Sequence, residues 1–180
     1  DCPMNQSHPA IGAMIATVVS RVRRNHALEH ATMHVLNERG QRLRLVARSS
    51  PWGFDVYGDI PTDELLAAVQ EALRRLRFGD RELAVHPNCG TNLALAGALG
   101  GMSAFVALWN PPREGRRRLT RLPVAILAAT LGVAAAAALG PLVQARITTQ
   151  ADPGTMRVVA IECERKPNML VHRVRTGDAG

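Results

Sequence analysis

His26-Ala27-Leu28-Glu29-His30 places two imidazoles and a carboxylate at a spacing that suits metal chemistry. On a helix, residues four apart share a face with Cβ atoms roughly 5–6 Å apart, so His26 and His30 can address one cation. Glu29 projects about 100° away on the 3.6-residue repeat, toward a metal-bound water rather than the metal. Neutral imidazole is a good ligand for a borderline cation such as Zn²⁺, and an adjacent carboxylate can accept the proton that the cation acidifies. His34 lies one further turn along and is a lesser candidate ligand. The competing reading is a core or solvated helix that happens to carry histidines.

A catalytic zinc site commonly uses three protein ligands, so a third donor is needed. The segment His86-Pro87-Asn88-Cys89-Gly90-Thr91-Asn92 supplies one. It follows the apolar run Leu83-Ala84-Val85, which reads as a strand, and precedes Thr91 to Ala107, which reads as a helix. A thiol at a helix start meets unsatisfied N–H groups and the positive dipole end, which favour the thiolate that binds metal. Cys89 is therefore the expected third ligand, with His86 as its competitor and a buried structural thiol as the alternative.

The elements that must position these residues are legible from pattern. Ala10 to Glu38 has no proline and carries Ile15, Val18, Val19, Val22, Leu28, Met33 and Val35 near helical spacing, with Pro9 suited to the first turn and Gly40 as a stop. Gln41 to Arg48 and Gly53 to Ile60 alternate as two strands around a turn at Ser49-Ser50-Pro51. Thr62 is placed to cap a helix with Asp63 and Glu64 in its first turn, the stripe Leu65, Leu66, Val69, Leu73 and Leu76, and Gly79 at its end. Met156 to Arg165 and Met169 to Thr176 read as strands around Lys166-Pro167-Asn168. A two-stranded hairpin is barely stable alone, so these strands are expected to return to the sheet. The fold class expected is α+β: a small antiparallel sheet with two packed helices, plus a transmembrane helical hairpin.

That hairpin is read from charge. Leu83 to Pro112 and Leu122 to Ala145 contain no Asp, Glu, Lys or Arg, and each is a candidate span of a hydrocarbon core about 30 Å thick. Gly97 and Gly101 match the small residues Ala128, Gly132, Ala136 and Gly140, and such faces also offer a route to a homo-oligomer. Trp109 fits an interfacial anchor, and the absence of charge inside both spans argues for anchoring rather than a proton or ion path. The organisation expected is a metal-binding domain over 1–92, a hairpin over 93–147 with an Arg-rich loop at 111–121, and a C-terminal β-hairpin over 148–180. Five arginines against one glutamate would place that loop in the cytoplasm. The N-terminal stretch lacks the basic region of a signal peptide, and a metal-binding thiolate survives best in a reducing compartment. The loop and the other cues conflict, because a cytoplasmic loop would put both flanking portions outside; an N-out hairpin, a cytoplasmic domain with an atypical loop and a shallow re-entrant hairpin stay open, and the thiolate leans the balance toward a multi-pass protein of a bacterial cell membrane with its domain on the cytoplasmic side.

A pI near 10.8 invites a nucleic-acid reading. Residues 1–92 argue against it, because they carry 11 positive and 10 negative charges and are nearly neutral. The excess sits beside the apolar segments, where anionic headgroups explain it more simply than phosphate backbones, so no nucleic-acid partner is expected. Cys2, Cys89 and Cys163 are too few and scattered for a disulfide framework. Cys163 and His172 could approach the metal, although core or surface roles suit them better.

His26-x-x-Glu29-His30 follows the H-x-x-E-H order of inverted zinc hydrolases. With Gly53-Phe54 opening a strand, Pro61-Thr62-Asp63-Glu64 opening a helix, and Glu82-Leu83-x-Val85 leading to Cys89-Gly90-Thr91, it also resembles the S-ribosylhomocysteine lyases, whose core shares a fold type with the pitrilysin-like metallopeptidases. The resemblance implies His26, His30 and Cys89 as metal ligands and Glu29 as an acid/base. It does not extend to the lyase reaction: no cysteine precedes Gly53-Phe54, and a helical run replaces the family's N-terminal substrate-binding strand. The HALEH and HPNCGTN motifs are also similar to those of an uncharacterised family of bacterial membrane proteins, a resemblance that brings no activity.

The function expected is a membrane-anchored enzyme dependent on Zn or Fe, a hydrolase acting through a metal-bound water on a substrate the sequence does not name. Two alternatives stand beside it. One is a non-catalytic scaffold or assembly protein whose metal site is structural and closed by a fourth ligand; the other is a metal-free interaction module.

Overall fold

The computed structural model describes residues 11–40, 45–109, 120–167 and 169–179. The Arg-rich loop, apart from its end at residues 120–121, lies outside the described residues, as do Cys2, Pro9, residues 41–44 and Asn168. By compactness the chain forms two units, Asp1–Val85 with Ile147–Gly180, and His86–Arg146.

The first unit opens on helix α1, Ile11–Glu38, whose proline-free sequence sustains 28 residues. It ends where Gly40, at φ 76°, donates its N–H to the Asn37 carbonyl. Strands β1 (Val46–Ser50) and β2 (Gly53–Tyr57) follow as an antiparallel pair. The turn falls one step later than its residue types suggest: Ser49 and Ser50 are strand residues opposite Phe54 and Gly53, and Pro51-Trp52 makes the reversal. Gly53 permits this with φ 139°, a conformation closed to ordinary side chains, and a Cβ there would collide with the Val174 carbonyl.

Helix α2 spans Thr62–Arg77, with Asp63 and Glu64 in the first turn and Arg74, Arg75 and Arg77 in the last, each sign facing the dipole end that favours it. The cap position belongs to Pro61, not Thr62. The Thr62 hydroxyl is engaged elsewhere, 3.1 Å from Nε2 of His172. Leu65, Val69, Leu73 and Leu76 are buried as their spacing requires, whereas Leu66, about 100° around the helix from Leu65, is exposed. Leu83-Ala84, expected to begin a strand, instead closes a 3-10 helix over Arg81–Ala84.

Strands β3 (Met156–Lys166) and β4 (Met169–Asp178) complete a four-stranded antiparallel sheet in the order β1-β2-β4-β3. The C-terminal strand β4 lies between β2 and β3. Phe54 and Val56 of β2, Val174 of β4, Leu28, Val35 and Leu36 of α1 and the buried stripe of α2 form one core. A fully buried Leu or Phe contributes roughly 1.5–3 kcal/mol, so this face fixes the two helices on the sheet. The class is α+β, as the pattern indicates.

The second unit contains α3 (Gly90–Leu108) and α4 (Leu122–Val143), the latter running on as a π-helical stretch, Gln144–Thr148. Both helices are long and apolar enough to cross a membrane. Small residues at four-residue intervals, Gly132, Ala136 and Gly140, are buried along α4. A Cβ at Gly132 would lie 2.6 Å from the Leu99 carbonyl oxygen, so the two backbones nearly touch there. On α3 the facing glycine is Gly100; Gly97 and Gly101, the pair picked out by spacing, have nothing within 4 Å of an added Cβ. At the foot of this pair the Gln144 amide donates to Asn92 Oδ1 at 2.7 Å and accepts from the His86 N–H at 2.9 Å.

Candidate metal centre

The middle of α1 turns a polar face inward. Asn25, Glu29 and His30 are buried together with Ala27, Leu28, Ala31 and Thr32. The rings of His26 and His30 have centroids 4.3 Å apart and planes inclined at 60°, so both imidazoles sit on one face.

Backbone carbonyls hold both rings. Nδ1 of His26 is 3.0 Å from the Thr148 carbonyl oxygen, and Nδ1 of His30 is 2.8 Å from that of Ala84. A carbonyl only accepts, so each neutral ring carries its proton on Nδ1 and its lone pair on Nε2, the tautomer a metal ligand needs. His34 takes the opposite assignment, because its Nε2 lies 2.8 Å from the Val85 carbonyl oxygen. The end of the 3-10 helix and its capping residue thereby serve α1 with two consecutive carbonyls, those of Ala84 and Val85.

Glu29 points toward β1, where its Oε2 accepts a hydrogen bond from the Ser49 hydroxyl. Asn25, one turn earlier on the same face, donates to the Ser50 carbonyl at 2.8 Å and accepts from the Thr176 hydroxyl at 2.7 Å. Ser49 and Ser50 were legible in the sequence as turn residues, and Asn25 was missed. The available signal was a polar residue four positions before Glu29, sharing its face.

In the second unit, Cys89 is buried and caps α3. Its Sγ accepts from the Thr91 N–H at 3.4 Å. His86 accepts the Asn88 N–H on Nδ1 at 3.2 Å, leaving its proton on Nε2. His26, His30 and Cys89 make up a set that could hold a metal ion, and neither His34 nor His86 belongs to it. Cys163 and His172 do not belong to it either. Cys163 is exposed on β3, and the fully buried imidazole of His172, bonded to Thr62, is pushed by burial below its usual protonation range.

The fold and these donors define a class: an α+β domain with a His-x-x-Glu-His helix and a helix-capping cysteine, joined to two helices apolar enough for a bilayer. The chain belongs to a family known by the description "domain of unknown function (DUF6391)", whose model matches residues 21–161. It is 36% identical over 137 residues to an uncharacterized protein of Picosynechococcus sp., an alignment covering 71% of this chain and 65% of that protein's length. No solved structure matches it.

Proposed function

We propose that this protein is a membrane-anchored, metal-dependent enzyme, a hydrolase, in which His26, His30 and Cys89 bind Zn²⁺ or Fe²⁺. The observation that carries the reading is the pair of Nδ1 to carbonyl contacts, which sets both imidazoles in the ligand tautomer on one helix face. A capping thiol at the start of α3 is the chemically apt third donor. The resemblance to the S-ribosylhomocysteine lyase and pitrilysin-like core supports the same ligand set.

When bound, the cation would supply Lewis acidity, lowering the pKa of water and polarising a substrate oxygen. The chain's own residues then have defined tasks. Glu29 Oε1 and Oε2 accept and return a proton, while the Ser49 hydroxyl holds that carboxylate in one orientation. The apolar α3 and α4 anchor the domain to the bilayer, with the domain on the cytoplasmic side.

One observation favours a second reading. A buried Glu29 already tied to Ser49 resembles a fixed structural group, as expected if the metal fastens a scaffold rather than activating water. Glu29→Gln separates the two readings. Metal content unchanged and turnover of ester and amide substrates abolished is the outcome expected of an enzyme, whereas a fixed structural carboxylate predicts loss of metal or of thermal stability in the variant and no turnover in the wild type.

A further inference from the structure

We infer that the first third of α1, Ile11–Val19, is buried in lipid hydrocarbon, adding a third apolar segment that enters one leaflet; this rests on the reading of α3 and α4 as membrane spans. Ile11 to Ser20 contains no charged residue, and Arg21, Arg23 and Arg24 follow at once. Its large apolar side chains are exposed, Ile11 at 79%, Met14 at 65% and Ile15 at 58%, with Val18 and Val19 beside them. The buried face of α1 begins only at Asn25. So large an uncovered apolar surface marks an interaction site.

Two observations identify the occupant as lipid rather than water or another chain. The first concerns polar groups, which hydrocarbon leaves without partners. Within Ile11–Ser20 the only polar side chains are Thr17 and Ser20, and both are bonded: Thr17 to the Ala13 carbonyl at 2.9 Å, Ser20 to Gln150 Oε1 at 3.1 Å.

The second is where the chain arrives after α4. Residues 148–150 follow that apolar helix directly and are fastened to α1 between Ser20 and His26. The Gln150 N–H donates to the Arg23 carbonyl at 3.0 Å, and the Arg23 guanidinium to the Thr149 carbonyl at 3.0 Å. If α4 spans the bilayer, its exit point is pinned where the uncharged stretch of α1 gives way to arginines. The folded domain lies on the Asn25 side of that level, so Ile11–Val19 extends toward the other side. Nine residues at about 1.5 Å each give roughly 13 Å, about half the hydrocarbon thickness. Arg21, Arg23 and Arg24 then fall at headgroup depth, where their stems can lie along the apolar boundary.

The test uses the full-length protein with Trp52 and Trp109 replaced by Phe, reconstituted in phosphatidylcholine and phosphatidylglycerol vesicles with brominated acyl chains. Single tryptophans are placed at Met14→Trp and Val18→Trp, with Leu131→Trp on the exposed face of α4 and Val46→Trp on β1 as references. The inference expects Met14→Trp and Val18→Trp to lose emission to the brominated lipid as Leu131→Trp does, and to resist aqueous acrylamide, while Val46→Trp does the reverse. Quenching of both α1 probes by acrylamide alone overturns the inference, and so does protection from both quenchers, which would mean that protein covers the helix. If Leu131→Trp escapes the lipid quencher, the membrane-span reading fails, and the α1 probes still report independently on their own lipid contact.

Discussion

Nδ1 of His30 lies 2.8 Å from the Ala84 carbonyl oxygen, a contact between α1 and the 3-10 helix that holds a 3% exposed imidazole in its ligand tautomer. It ties the proposed ligand to the segment leading to Cys89. The same contact has a structural cost of removal. His30→Ala leaves a buried carbonyl without its donor, and destabilisation of about 1–3 kcal/mol is expected even in metal-free protein, read by thermal unfolding in chelator.

Gly132 and Gly97 should respond oppositely to alanine. At Gly132 the new methyl meets the Leu99 carbonyl oxygen at 2.6 Å and must part α3 from α4, at a cost of about 1–3 kcal/mol. At Gly97 nothing lies within 4 Å, and the better helix propensity of alanine should stabilise by up to about 1 kcal/mol. Thermal unfolding of the two variants in detergent checks the order.

Acid should weaken the domain through His172 before it reaches the carboxylates. Burial keeps the folded imidazole below its ordinary pKa, so the unfolded chain binds the proton first. His172 is thus neutral in both states well above about pH 6.5, and stability falls as pH drops from that value toward the folded pKa. Asp178 acts lower: its hydrogen bond from Arg24 depresses its pKa, so the stability it contributes is present above about pH 3.9 and lost below. The unfolding midpoint of chelated protein should decline as pH falls below about 6.5, and His172→Gln should flatten that decline while leaving the lower transition in place. An unchanged slope in the variant would contradict the assignment.

Much of the fold was legible because period and punctuation agreed. The stripe Leu65, Val69, Leu73 and Leu76 with acidic residues ahead and Gly79 behind marks α2, and the uncharged runs mark α3 and α4. The strand expected at Leu83-Ala84-Val85 failed for a physical reason. Three apolar residues carry no period, and the Ala84 and Val85 carbonyls are taken by His30 and His34 rather than by a neighbouring strand. The facing glycine in the helix pair was misplaced because Gly97, Gly100 and Gly101 all fit a small-residue pattern, and only packing selects among them. At the candidate site, residue types and spacing pointed to His26, His30 and Cys89, the set that could hold a metal, and proposed Glu29 beside them. Which ring nitrogen each histidine commits, and that Asn25 and Ser49 steady the same face, depends on carbonyls and hydroxyls brought in by folding.

Glu29→Gln and Ser49→Ala should divide the roles on that face. Glu29→Gln is expected to keep metal and lose turnover, because the amide cannot accept the proton. Ser49→Ala removes one hydrogen bond to the carboxylate and is expected to lower turnover less, with metal content unchanged. Loss of metal in Glu29→Gln would make Glu29 a ligand or a structural support instead.

Metal analysis of detergent-purified protein bears most directly on the central claim. About one Zn or Fe per chain is expected in the wild type, with a near-complete loss in His26→Ala, His30→Ala and Cys89→Ala, each checked for retained fold by circular dichroism. A folded wild-type protein that takes up no Zn²⁺ or Fe²⁺ when these are supplied, or a folded Cys89→Ala variant that holds metal as tightly as the wild type, would contradict it.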